Sequence, residues 1–122
     1  MMHSTGFLKI AEDAKKKVNE IELTELQQRL STQANIFLVD VREKEEYQQG
    51  AVSWAIHLSK GVIERDIEKT IPDKTAEIVL YCGGGSRSAL AAENLQRMGY
   101  KNVYSLAGGY RGIRENPSDV LR

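Results

Sequence analysis

The chain has 122 residues, 41% hydrophobic and 28% charged, with seventeen basic residues balanced by seventeen acidic ones. That length fits one domain around a single core, and a net charge of zero removes the electrostatic case for nucleic acid or an anionic membrane as partner. One cysteine and two histidines (His3 and His57) exclude an internal disulfide and argue against a zinc site, so no metal and no cofactor is expected.

From Phe7 to Val18, the residues Phe7, Ile10, Ala11, Ala14 and Val18 recur at helical spacing around the run Lys15-Lys16-Lys17. The spacing predicts an amphipathic helix in an N-terminal extension, residues 1–20, ahead of a main domain at 21–122. It would pack on that domain or on a partner, and the oligomeric state is open. No apolar run reaches the length of a signal-peptide core or a membrane span, so a cytoplasmic protein is expected, in a compartment where a thiol stays reduced.

In ELTELQQRL, Thr24 and Gln27 have the spacing of a capping box, and Leu26 and Leu30 share one face, which predicts a short helix. IFLVDV, residues 36–41, is apolar except at Asp40 and reads as a strand buried on both faces. EKEEYQQG predicts a short polar helix ending at Gly50, and AIHL another brief strand. Val62, Ile63, Ile67 and Ile71 mark a helix stopped by Pro72, and EIVLYC is the clearest strand. SRSALAAENLQRMG follows as a helix with Ala89, Ala92, Leu95 and Met98 inward and Gly99 at its C-terminal cap; NVYSL is a last strand, and AGGYRGI turns into a final helix. Strands alternating with helices from residue 20 onward predict an α/β fold: one central, mainly parallel sheet of about five strands with helices on both faces. Ligands of such sheets bind beyond the carboxyl ends of the strands, where Cys82 lies.

Cys82 is followed by Gly83-Gly84-Gly85-Ser86-Arg87-Ser88. A cysteine attacks as thiolate, and an ordinary thiol with a pKa of about 8.5 is mostly protonated at neutral pH. Here three features favour the anion. The loop leads into a helix N-terminus, Arg87 adds a fixed positive charge, and the glycines let consecutive amides turn inward as an anion-binding nest. A core-filling cysteine gives no reason for three glycines and an arginine beside it. The nucleotide-binding G-x-x-x-x-G-K-[ST] loop is absent, and GGGSRS matches a dinucleotide fingerprint only weakly.

With these residues in view, Cys82-Gly83-Gly84-Gly85-Ser86-Arg87-Ser88 resembles the C-x-x-G-x-R-S active loop of the single-domain rhodaneses. FLVDVREKEEY, AIHLSKGVIERDI and LAGGYRGI resemble three further segments of that family, in the same order, so the likeness runs from about Glu22 to Ile113. It implies a sulfurtransferase in which Cys82 is nucleophile and persulfide carrier. A small anionic sulfur donor such as thiosulfate would supply the sulfur, and a thiol, cyanide or a protein acceptor would remove it. Gly83, Gly84, Gly85, Ser86 and Arg87 would bind substrate. Ser88, Asp40, Arg42, Lys60 and Arg65 are supporting candidates, with an ion pair that pins loops as the expected role of Asp40 and Arg42. His57 is expected to be a packed strand residue rather than a base. Two other readings stay open: a relay module passing its persulfide only to a protein, and a thiol-based phosphatase or arsenate-type reductase. The phosphatase loop of a related fold is one residue longer, with Ser88 standing where it needs arginine. The chain departs from the family at Ala51, at Trp54, expected at the pocket rim or on a different loop path, and at Tyr110, with no tryptophan after it.

Overall fold

The computed structural model describes residues 3–33 and 35–122, so two residues of the expected N-terminal extension lie outside it. In chain order the elements are α1 (Thr5–Lys15), β1 (Asn19–Ile21), α2 (Leu23–Thr32), β2 (Ile36–Asp40), α3 (Lys44–Gln49), β3 (Ile56–His57), α4 (Ile63–Thr70), β4 (Glu77–Tyr81), α5 (Ser86–Arg97), β5 (Asn102–Leu106) and α6 (Gly109–Glu115), closed by a 3₁₀ turn at Asp119–Leu121. The five strands form one sheet in the order β1-β5-β4-β2-β3, and every pairing is parallel. The expected α/β architecture is therefore present, with a sheet parallel throughout. Among the described residues, no helix is long and apolar enough to cross a membrane.

Side chains alternate across a strand, so β4 feeds two cores. Ile78, Leu80 and Cys82 face one layer, packed with Ala14 of α1, Ile63 and Ile67 of α4, and Ala89, Ala92 and Leu95 of α5. Val79 and Tyr81 face the other, with Leu26 of α2, Ile113 of α6 and Leu121 of the final turn. Helices thus cover both faces. The alternation also decides which way Cys82 points: toward the layer that holds α1 and α5.

Four expectations need correction. The first helix ends at Lys15, not Val18, because Lys17 and Val18 turn back to bond the Ala14 carbonyl. Asn19–Ile21 is then a strand that the sequence reading did not assign, paired on β5 from Asn19–Tyr104 to Ile21–Leu106. Thr24 lies inside the first turn of α2, whose cap is Glu22, so the Thr24–Gln27 spacing is not a capping box. The interlocked cap occurs instead at α3, where the Glu43 amide donates to the Glu46 carboxylate at 3.1 Å. Finally, Phe37, the second residue of β2, is 40% exposed while its four neighbours in the strand are buried, so that strand is not covered on both faces along its whole length.

Candidate active site

The loop after β4 is held by its carbonyls. The Tyr110 amide donates to the Cys82 carbonyl at 2.7 Å, and the Arg111 amide to the Gly83 carbonyl at 3.1 Å. With these oxygens turned toward α6, the loop's N–H groups are free to face the sulfur. The Gly85 amide points at Cys82 Sγ from 3.1 Å and the Ser88 amide from 3.4 Å. Gly85 sits at φ 111° as the residue before α5, a left-handed conformation that suits glycine. Ser88 Oγ lies 3.5 Å from the sulfur and 2.8 Å from Ser105 Oγ, so a buried line of two hydroxyls runs from the thiol into β5.

Cys82 is 1% exposed, yet it lines a cavity of about 370 Å³. Burial pushes its thiol up. The Ser88 hydroxyl and the amides of Ser88, Gly85 and Gly84 pull the other way and prevail, leaving the thiol below its ordinary value. The expectation of an ionised sulfur over inward N–H groups thus has its geometry, even though the residue is nearly enclosed.

Gly83, Gly84, Ser86 and Arg87 share this cavity with Cys82, and Gly85 lies buried beneath it. Arg87 carries two roles. Its guanidinium makes a two-pronged pair with Glu46 of α3 at 2.7 and 3.0 Å, and its side chain still borders the cavity. That contact holds the Glu46 carboxyl below the usual carboxylate range. Asp40 and Arg42 form a buried pair at 2.8 Å, and Arg42 Nη2 also donates to the Gly50 carbonyl at 2.7 Å, pinning the end of β2 to the end of α3. His57 is a packed strand residue, its Nε2 2.8 Å from the Arg42 carbonyl and its ring stacked 4.4 Å from Tyr47.

Lys60 and Arg65 are not brought to the thiol. Neither lines the cavity, and the exposed Arg65 is paired with Asp66 at 2.8 Å, so the expectation that they attract a donor loses its geometric basis. Trp54 is not at the rim either; its indole N–H donates to the Val120 carbonyl at 3.1 Å. The cavity instead has walls unforeseen in the sequence: Glu46, Arg111 of α6, and His3, just before α1, with Phe7 in its first turn, whose rings meet at 4.8 Å. Glu46 reads in the sequence as part of a short polar helix, and Arg111 lies within LAGGYRGI without any pattern there that singles it out as a cavity wall. A glycine made necessary by close approach completes the site. A Cβ on Gly109, at φ 52°, would collide with the Cys82 carbonyl oxygen and stand 2.7 Å from the Gly83 carbonyl carbon.

Residues 22–116 match the rhodanese-like domain family. The chain belongs to it. This rhodanese-like domain is 33% identical over 95 residues to the thiosulfate sulfurtransferase GlpE of Coxiella burnetii, covering 78% of this chain and 83% of that one. In structure it is similar to the human single-domain sulfurtransferase TSTD1, with a TM-score of 0.71, 25% identity and coverage of 81% and 97% of the two chains. It also superposes on a Rhodopseudomonas palustris protein described as a possible tyrosine phosphatase, with a TM-score of 0.80, 23% identity and coverage of 94% and 93%. At that identity the likeness is one of fold.

Proposed function

We propose that this rhodanese-like domain is a sulfurtransferase that carries a sulfane sulfur as a persulfide on Cys82, taken from thiosulfate or a similar anion. The observation that carries this reading is the pair of amides, Gly85 and Ser88, aimed at Sγ. In the first half-reaction the Cys82 thiolate attacks the outer sulfur of the donor. The new S–S bond forms as the donor's S–S bond breaks, and sulfite leaves with the electron pair. In the second, an acceptor thiolate or cyanide attacks the terminal sulfur, and the electron pair returns to Cys82. Charge stays negative on the loop throughout, so fixed N–H dipoles favour each state without reorganising. The family's sulfurtransferase relatives support the same chemistry. A free thiol suits a reducing compartment such as the cytoplasm.

The phosphatase reading has less support. Only four residues separate Cys82 from Arg87, and Arg87 is engaged by Glu46. Incubation with thiosulfate followed by intact mass measurement tests the proposal: one sulfur atom should be gained, and Cys82→Ala should gain none. Cyanide-dependent turnover then separates a sulfurtransferase from a relay that serves only a protein acceptor. Hydrolysis of an aryl phosphate without any sulfur gain would overturn the proposal.

A further inference from the structure

Beside the thiol cavity, and sharing Glu46, Gly83 and Arg111 with it, lies a second cavity of about 280 Å³. Its walls also include Arg42, Tyr110 and Arg114. The charges around it do not cancel. Arg42 is neutralised by Asp40, and Glu46 by Arg87. Arg111 and Arg114, exposed and three residues apart on α6, make no salt bridge among the described residues. A chain of zero net charge therefore gathers two uncompensated cations at one wall. The backbone of Arg111 is fixed by its amide bond to the Gly83 carbonyl, and its Nη2 reaches over the loop to within 4.0 Å of where a Gly84 Cβ would stand. Its guanidinium marks the divide between the two cavities.

Resting on the sulfurtransferase reading above, we infer that this second cavity is an anion subsite for the sulfur acceptor, in which Arg111, assisted by Arg114, takes the carboxylate of an organic thiol whose sulfur enters the pocket at Cys82. A guanidinium offers paired N–H donors that match a carboxylate. The polar lining suits a charged group better than a hydrocarbon one. Two adjoining cavities exceed what a compact inorganic anion fills, whereas a carboxylate and a thiol a few bonds apart can span the shared wall. The step balances without an oxidant. The acceptor thiolate bonds to the terminal sulfur of the Cys82 persulfide, the bond between that sulfur and Sγ breaks, Sγ keeps the electron pair, and the acceptor leaves as its own persulfide. Anchoring the carboxylate holds the attacking sulfur near its target, and the cations offset repulsion between two anions.

The test uses the full chain, thiosulfate as donor, and two acceptors that differ in charge, 3-mercaptopropionate and 2-mercaptoethanol. The quantity read is the ratio of their kcat/KM values. Arg111→Gln should lower the ratio at least about threefold, the scale of a partly exposed ion pair, and Arg111→Lys should recover most of it. A smaller fall, or no recovery with lysine, overturns the subsite, because a merely structural role would lower both acceptors together. The two readings fail separately. Absence of sulfur gain from thiosulfate in the unmodified protein removes the parent reading and this one with it; sulfur gain with an unmoved ratio removes only the subsite.

Discussion

Ser88 has the clearest single-residue consequence. It touches the sulfur through both its amide and its hydroxyl, and only the hydroxyl can be removed by substitution. When the Ser88 hydroxyl gives its one hydrogen to the thiolate, Ser105 is the donor in the 2.8 Å contact between the two hydroxyls. Ser88→Ala should therefore leave the amides in place and raise the thiol's midpoint. The sign is fixed by which form the donors favour: they bind the anion, so losing one makes proton release harder. The pH at which alkylation by iodoacetamide reaches half its plateau rate should be lower in the unmodified protein than in Ser88→Ala. Equal profiles for the two would show that the hydroxyl donates elsewhere. At this scale the thiol and its loop were legible, because glycines and an arginine after a strand leave few other uses. Ser105 was not. Within NVYSL it is one small polar residue, and only the fold turns it toward Ser88.

Among elements, the joint between α6 and the loop after β4 governs the site. Two α6 amides take the Cys82 and Gly83 carbonyls, and this works only while the backbones meet at Gly109 without a side chain between them. Gly109→Ala combines a left-handed residue with a backbone collision. It should lower unfolding stability by on the order of 2 kcal/mol and reduce sulfur uptake from thiosulfate more than a comparable loss of stability elsewhere. Urea denaturation with intact mass after thiosulfate reads both; an unchanged midpoint would show that the joint is loose. The motif around Gly109 could be seen in the sequence, but its reason could not, since the atoms it avoids lie on another segment. β1 escaped notice for a different reason. Asn19-Glu20-Ile21 offers one buried residue, and its pairing is supplied by the backbone of β5 rather than by any apolar pattern. Conversely α1 was readable from its spacing, while its part in the cavity was not, because His3 and Phe7 meet Cys82 only after the helix packs on α5.

For the whole molecule, zero net charge means that attraction for an anion is a property of one end of the sheet. The carboxyl ends of β2, β4 and β5 converge there, bringing Arg42, Cys82 and Gly109 together with Glu46 from α3. Lys101 stands at the opposite end, exposed and just before β5. Five strand residues set it roughly 17 Å from the loop. At physiological salt, where screening acts over about 8 Å, Lys101→Glu should change kcat/KM for thiosulfate less than about twofold, although it moves the net charge by the same amount as the equivalent change at Arg111. Steady-state kinetics at two ionic strengths would check this, and a large effect would point to a long-range field instead of a local one.

Trp54 is the chain's single tryptophan, and its indole is fastened to the Val120 carbonyl while Ser53 holds the carbonyl of Arg122. Because it borders neither cavity, the molecule contains an intrinsic fluorophore that reports on the attachment of its C-terminal tail. Peeling of that tail and loading of the sulfur can thus be followed in the same sample as two independent optical and mass signals.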